Sequence, residues 1–305
     1  MTATPVAPTG DPTTDRPVGA GQRRVARLWP FAPAGLVLLL LFFIPLGIVF
    51  VYSFWTTNGS FQLTPDWTLK NYLNFFSTET YLRTFAKTVL MAAIVTVVGL
   101  LTSFPFAYFL VRYVGRRWQR IALLAVIVPF WTSYLVRVYS WQAILGEHGL
   151  INGLLLQIGL IKEPLDVFLY NDVGVFIVLL YLYFPFAVLA LYTSLERFDF
   201  TQLTAAQDLG ARPDQALRRI LLPQIRPGII TACIFVFIPI LGEYLTPTLV
   251  GGTKGVLIGN LILNFYRGGS FPGMAAGAFL IAAVVLVLLI AFRRYLRIED
   301  VVART

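Results

Sequence analysis

Cysteine and histidine are almost missing from this 305-residue chain, which contains one of each, Cys233 and His148. A single cysteine cannot form a disulfide within the chain or supply a cysteine metal cluster. With one imidazole and no neighbours at ligand spacing, zinc chemistry and a Ser/His or Cys/His nucleophilic arrangement are both disfavoured. The sequence therefore argues against an enzyme, and we expect neither a metal nor a cofactor bound by this chain.

Charge is also scarce, at 13% of residues against 57% hydrophobic, whereas soluble domains carry about a quarter charged residues. A helix that crosses a bilayer needs roughly 20 apolar residues. Six runs meet or nearly meet that length, at about 31–54, 88–111, 121–144, 173–195, 227–249 and 272–292. The sequence predicts an all-α, polytopic membrane protein with six transmembrane helices, the third containing Arg137 and the fifth Glu243.

The basic residues are concentrated on one predicted side of the membrane. Of the 24 Lys and Arg residues, 17 lie in the N-terminal tail, the loops after the second and fourth spans, and the C-terminus. Because basic residues near helix ends resist translocation, this side is predicted to be cytoplasmic. We expect a disordered cytoplasmic tail at 1–28, a transmembrane domain at 29–297 and a cytoplasmic C-terminal tail at 298–305, in a bacterial plasma (inner) membrane.

Two longer loops, about 55–87 and 145–172, are assigned to the outer side. The second contains GLINGLLLQIGL at 149–160, which is apolar but too short to span a bilayer. The pattern predicts an interfacial or re-entrant helix there.

A polar segment on the basic side, LTAAQDLGARPDQALRRILLP at 203–223, interrupts the apolar runs. Asp199 and Gln202 have the spacing of a capping box, so a helix is predicted at about 200–209. Gly210 suits the left-handed residue that ends it, and Pro213 suits the first position of a second helix. That helix would turn Ala216, Leu217, Ile220 and Leu221 to one face and Arg218 and Arg219 to the other, before Pro223 and Pro227 break it.

This segment resembles the cytoplasmic loop motif of importer-type ATP-binding cassette permeases, in which E-A-A is followed by a glycine and then I-x-L-P. The matching residues are Ala205, Ala206, Asp208, Gly210, Ile220, Leu222 and Pro223, with Leu209 beside the glycine. The resemblance implies that the loop at about 196–226 couples the chain to a separate ATPase subunit, which would bind the ATP. Thr204 stands where the motif usually has Glu, so a charge contact at that position is not expected.

Two further stretches, 128–155 and 241–262, resemble the spermidine/putrescine permease subunits of that superfamily. The resemblance implies an importer for polyamines in which this permease pairs with a second, similar permease, ATPase subunits (two copies) and an extracytoplasmic substrate-binding protein. Importers of an aminophosphonate, ferric iron or an opine-like amino compound remain alternatives within the class. An ion-coupled secondary transporter is a further alternative.

Arg137 and Glu243 are predicted to lie at matching depth, roughly 24 Å above the cytoplasmic boundary at 1.5 Å per residue. Ionisable groups inside the membrane require a partner or a water-filled cavity. They would either form a structural pair or line the translocation path. Glu243 with Trp131, Trp141 or Tyr244 would suit ammonium groups, whereas Arg137 would suit an anionic cargo.

Overall fold

The structure, a computed structural model, describes residues 32–58 and 62–292. The predicted tails at 1–28 and 298–305 lie outside the described residues. The chain divides into two units, Met1–Val49 and Phe50–Thr305. In the first unit, helix α1 (Ala32–Leu38) continues through a π-helical turn (Leu39–Phe43) into α2 (Ile44–Tyr52), which runs across the boundary.

The second unit is also mostly helical, apart from a short antiparallel hairpin of β1 (Thr56–Thr57) and β2 (Leu63–Thr64). Its helices are α3 (Lys70–Ser77), α4 (Glu79–Tyr113), α5 (Arg116–Ile127), α6 (Tyr134–Leu145), α7 (Leu150–Gln157), α8 (Asp172–Glu196), α9 (Thr201–Asp208), α10 (Pro213–Ala216), α11 (Leu222–Gln224), α12 (Arg226–Leu241), α13 (Ile258–Arg267) and α14 (Phe271–Phe292). Short 3₁₀ turns occur at Val128–Trp131 and Asp166–Phe168, and π-helical segments at Leu217–Leu221 and Pro247–Gly251.

Four stretches of the described chain are long and apolar enough to cross a membrane, namely Gly35–Tyr52, α4, α8 and α14. They coincide with four of the six predicted spans. Two bent helix pairs bring the number to six if each pair is one span. The two spans predicted to contain a charge are the two that are bent.

The third predicted span, 121–144, is wrong as a continuous helix. Helix α5 ends at Ile127, a 3₁₀ turn with Pro129 follows, and Thr132 and Ser133 are extended before α6 begins. The two halves, Arg116–Trp131 and Tyr134–Gln157, meet at 97°. Pro129 has no N–H for the helical ladder, which favours a break at this point. The second half includes α7, so the predicted short helix at 149–160 is confirmed.

The fifth predicted span, 227–249, ends earlier than expected. Helix α12 stops at Leu241, and Glu243 lies in a break before the π-helical segment Pro247–Gly251. Before α12, the chain bends by 69° between Pro213–Gln224 and Arg226–Leu241. This is the turn predicted from Pro223 and Pro227. Glu243 is therefore outside the helix in which the sequence places it.

Helices α4, α8 and α12 pack against one another and form the centre of the second unit. Helix α8 is the most enclosed, with Leu179 and Leu191 fully buried, and it meets Val95 of α4 and Ile240 of α12 in one apolar cluster. Helix association in lipid relies on close packing, because lipid tails are as apolar as leucine. Gly228 of α12 shows how close the approach is, since a Cβ there would lie 1.9 Å from Ser194 Oγ and 2.4 Å from Ser194 Cβ.

We expect Gly228→Ala to destabilise the protein by about 1–3 kcal/mol, because the added methyl group overpacks the contact between α12 and α8. The matched control is Gly153→Ala in α7, where a Cβ would meet nothing within 4 Å and helix propensity favours alanine. The melting temperatures of the two purified variants in detergent measure their stabilities. Equal melting temperatures for Gly228→Ala and wild type would show that this contact is not tight.

Candidate functional site

The first helix of the 196–226 loop is α9 (Thr201–Asp208), close to the predicted 200–209. Its C-terminus is a Schellman motif, because Ala211 N donates to Ala206 O (2.9 Å) and Gly210 N donates to Gln207 O (2.9 Å). Gly210 has φ of +90°, the left-handed conformation that favours glycine. The predicted role of Gly210 as the end of the helix is confirmed.

The predicted capping box between Asp199 and Gln202 is wrong. Asp199 Oδ1 instead accepts from Thr201 N (3.0 Å) and Thr201 Oγ1 (2.7 Å), a local turn that competes with capping. These two donors lower the pKa of the exposed Asp199 carboxyl. The Gln202 side chain accepts from Gln224 Nε2 (2.6 Å) in α11 instead, so it joins the two ends of the loop.

The second half of the loop follows the predicted pattern. Pro213 is the first residue of α10, and Ala216 and Leu221 are buried while Arg218 and Arg219 are exposed. The predicted apolar and basic faces are therefore confirmed.

The outer surface of the 196–226 loop is made mainly of small and polar side chains. Among the residues singled out from the sequence, Ala206 is half-buried, and the exposed ones are Thr204, Ala205, Asp208, Leu209, Gly210 and Pro223. Leu209 is 90% exposed, so the tip of the loop presents one large apolar side chain.

The base of the loop is attached to helix α4 through Phe200. The Phe200 ring lies 5.9 Å from the ring of Tyr108, measured between centroids, and the Arg112 guanidinium carbon lies 5.2 Å from the Phe200 centroid. Phe198 completes this contact at 5.1 Å from Phe200. A displacement of the loop would therefore be transmitted to α4 as well as to α12.

The second candidate region is the break that follows α12, where the Glu243 side chain is 8% exposed. Glu243 Oε1 accepts from the backbone N–H groups of Leu245 (2.9 Å) and Thr246 (3.1 Å). Glu243 Oε2 accepts from the hydroxyls of Tyr134 (2.5 Å) and Tyr183 (3.2 Å). A carboxylate offers about four acceptor sites, and these four donors fill them.

The same break is also held from helix α13. Asn260 Nδ2 donates to Tyr244 O (2.9 Å) and to Thr248 Oγ1 (2.7 Å). Gly259 approaches so closely that a Cβ there would lie 2.5 Å from the carbonyl oxygen of Glu243. Several polar groups of this irregular backbone, among them Leu245 N, Thr246 N and Tyr244 O, are thus satisfied within the protein, as non-helical backbone at membrane depth requires.

Arg137 lies beside this cluster but does not form the predicted pair with Glu243. Within the described residues its side chain has no ion pair, and its Nε is buried without a hydrogen-bond partner. Its guanidinium carbon lies 4.4 Å from the ring centroid of Phe130 and 5.6 Å from that of Tyr134. The depth of roughly 24 Å assumed two continuous helices, whereas both residues lie in bent or broken segments. Both residues nevertheless contact Tyr134, Arg137 over its ring and Glu243 at its hydroxyl.

Among the described residues, none of the three aromatic side chains named from the sequence donates to the Glu243 carboxylate. Trp131 is 87% exposed and Tyr244 is 48% exposed. Trp141 packs on Tyr181 of α8, with 5.1 Å between ring centroids. Together with Phe130, Trp141 and Tyr181 line an apolar cavity of about 510 Å³. Over the described residues, no three His, Cys, Asp or Glu side chains gather as a metal site would need.

Sequence reasoning missed Tyr134, Tyr183 and Asn260. A weak signal was present, since Tyr183 places a hydroxyl in the middle of a very apolar run and Asn260 follows Gly259 between the fifth and sixth predicted spans. Neither pattern names a partner. The partners come from three separate helices, so only the packing of those helices reveals the cluster.

Residues 100–299 match a known family, described as binding-protein-dependent transport system inner membrane component. The chain is 34% identical over 258 residues to the spermidine/putrescine transport system permease protein PotB of Haemophilus influenzae, which covers 83% of this chain and 89% of that protein. It is also 34% identical over 262 residues to the protein of the same name in Escherichia coli, covering 86% and 94% respectively.

A chain of a bacterial ABC transporter involved in the import of the acidic polysaccharide alginate has the same fold, with a TM-score of 0.69, 18% identity, and coverage of 92% of this chain and 99% of that chain. At that identity the likeness concerns the fold alone. The family match covers more than half of the chain, and the PotB identity extends over most of it. This chain therefore belongs to the family of binding-protein-dependent transport system inner membrane components, the permease subunits of ABC importers.

Proposed function

We propose that the chain forms part of the translocation path of an ATP-driven importer for polyamines such as spermidine and putrescine. The assignment of polyamines as the cargo rests on the 34% identity to a PotB protein over most of both chains. The ring faces of Phe130 and Tyr134, which already hold a guanidinium, support it, because aromatic faces attract ammonium groups.

The 196–226 loop is the proposed docking site for a separate ATPase subunit, which would bind and hydrolyse ATP. Its exposed face of Thr204, Ala205, Asp208 and Leu209 lets another surface approach closely, and the Schellman motif fixes its shape. Its base is held to α4 by Phe200 and continues into α12. Closure of the ATPase would thus move two helices of the central bundle together.

The remaining partners follow from the same class of transporter. We propose a second permease, a substrate-binding protein outside the membrane, and two copies of the ATPase. The basic residues concentrated on one side support six spans with both termini in the cytoplasm of a bacterium, each bent helix pair then counting as one span.

For Glu243 the geometry favours a structural role over direct contact with cargo. All four acceptor positions of its carboxylate are occupied by donors from the chain itself. We therefore propose that Glu243 fixes the break after α12 and orients the ring of Tyr134.

The proposed function predicts spermidine uptake into proteoliposomes that hold this chain with its partner permease and ATPase, supplied with binding protein outside and ATP inside. Uptake should cease when ATP is omitted, because ATP hydrolysis by the partner ATPase is proposed to drive it. ATP-independent uptake driven by an ion gradient would favour a secondary transporter. Uptake of another solute alone would change the cargo and leave the importer class intact.

Gly210→Arg should abolish association with the ATPase while the variant still inserts into the membrane. The arginine must adopt a φ of +90°, which is strained for a side chain with a Cβ, and it adds bulk at the tip of the loop. The control is Gly115→Arg, at an exposed glycine with φ of −68° and open space around it. Co-purification with the ATPase measures both, and retained association in Gly210→Arg would contradict the docking role.

Glu243→Gln should lower stability by roughly 1–3 kcal/mol, since a carboxamide has one oxygen and would leave buried donors unpaired. Glu79→Gln is the matched control, because Glu79 is exposed in an i,i+4 pair with Arg83 and such pairs contribute little. The melting temperature in detergent, measured beside uptake, distinguishes a structural role of Glu243 from a role in cargo binding. A normal melting temperature with loss of uptake would instead assign Glu243 to the cargo.

A further inference from the structure

Arg137 is a half-buried cation. Its Nε is buried without a hydrogen-bond partner, and among the described residues no carboxylate forms an ion pair with it. Its guanidinium carbon lies over two ring faces, at 4.4 Å from the ring centroid of Phe130 and 5.6 Å from that of Tyr134. A charged group in a membrane protein is costly unless it is paired or reaches water. Arg137 is therefore held where a cation is attracted, but without the hydrogen bonds that would fix it there.

The ring pair itself is firmly placed. Tyr134 donates its hydroxyl to the Glu243 carboxylate (2.5 Å) and meets the hydroxyl of Thr246 at 2.9 Å. Phe130 packs edge-on against Phe186, with 5.2 Å between centroids. The ring faces thus stay in position whichever cation lies over them, and the Glu243 charge behind Tyr134 favours a positive occupant.

The cavity of about 510 Å³ next to Phe130 supplies the apolar half of a binding site. Trp141, Tyr181 and Ile177 are among its lining residues. An alkylammonium ligand combines a positive group with a chain of methylene groups. Ring faces suit the first part, and an apolar cavity suits the second.

We propose that the faces of Phe130 and Tyr134 form a transient site for an alkylammonium cargo, and that Arg137 occupies this site as a tethered cation when no cargo is present. The proposal rests on the polyamine function proposed above. Arriving cargo displaces the guanidinium from the rings, and departure of the cargo lets it return. Arg137 then prevents the rings from holding cargo too tightly, which passage through a transporter requires.

The test measures equilibrium binding of radiolabelled spermidine to the purified complex of this chain, its partner permease and its ATPase, without the external binding protein. We expect Arg137→Gln to tighten binding about three- to tenfold, because cargo no longer competes with a tethered cation. Arg137→Lys keeps a tethered cation and should remain close to wild type. Arg83→Gln is the charge-loss control, since the Arg83 side chain is 78% exposed.

Phe130→Leu distinguishes the rings from a general loss of positive charge. If Arg137 acts by covering the rings, the tightening caused by Arg137→Gln should disappear in the double variant with Phe130→Leu, since the two changes are then coupled. Phe109→Leu, at a ring that is 55% exposed on α4, is the control for ring loss and should leave the tightening intact. If the Arg137→Gln variant does not assemble into the complex, Arg137→Met is used in its place, because methionine keeps much of the side-chain length without the charge.

Unchanged or weaker spermidine binding in the charge-free Arg137 variant would overturn the tethered-cation role, and so would equal tightening in the Phe130→Leu background. Failure of the proposed function is distinguishable, because the intact wild-type assembly would then show no ATP-dependent polyamine uptake. Uptake by the wild type together with unchanged binding in the variants would reject this inference alone.

Discussion

A carboxylate enclosed by apolar helices must have its charge met by donors, and the Glu243 cluster is organised around that requirement. The donors are two backbone N–H groups in the break after α12 and two tyrosine hydroxyls, from Tyr134 at the start of α6 and Tyr183 within α8. Because an unmet buried charge costs several kcal/mol, these helices are held in a defined relation. The break, the bent span and the aromatic cluster all meet at this carboxylate.

Helix α12 (Arg226–Leu241) joins the two candidate regions. The 196–226 loop leads into its first residue, and the break at Glu243 follows its last. At 1.5 Å per residue the helix separates them by about 24 Å. Its close contact with α8 at Gly228 and Ser194 ties the loop end of this helix to the central bundle. In the proposed importer, α12 would connect movement of the loop to the break at Glu243.

The sequence was most informative where structure is local. Gly210 and Pro213 specify their backbone conformations through their own stereochemistry, so the two helices of the 196–226 loop could be placed within a residue or two. The predicted capping box was wrong because the Asp199 carboxylate accepts from Thr201 instead. Residue spacing alone does not tell which of two nearby donors a carboxylate will take. The bent third span was missed because hydropathy counts apolar residues and takes no account of the turn that begins at Pro129.

Composition and charge distribution by themselves determined that this is a helical membrane protein, since burial of apolar side chains in lipid depends on residue type rather than on partners. Sequence also located Arg137 and Glu243 as residues that need an explanation. Only the tertiary structure decided what each one meets. Glu243 is satisfied by groups from distant parts of the chain, and Arg137 lies over ring faces instead of beside a carboxylate. Such pairings depend on how helices pack, and a helix carries no local signal for the side chain that will face it.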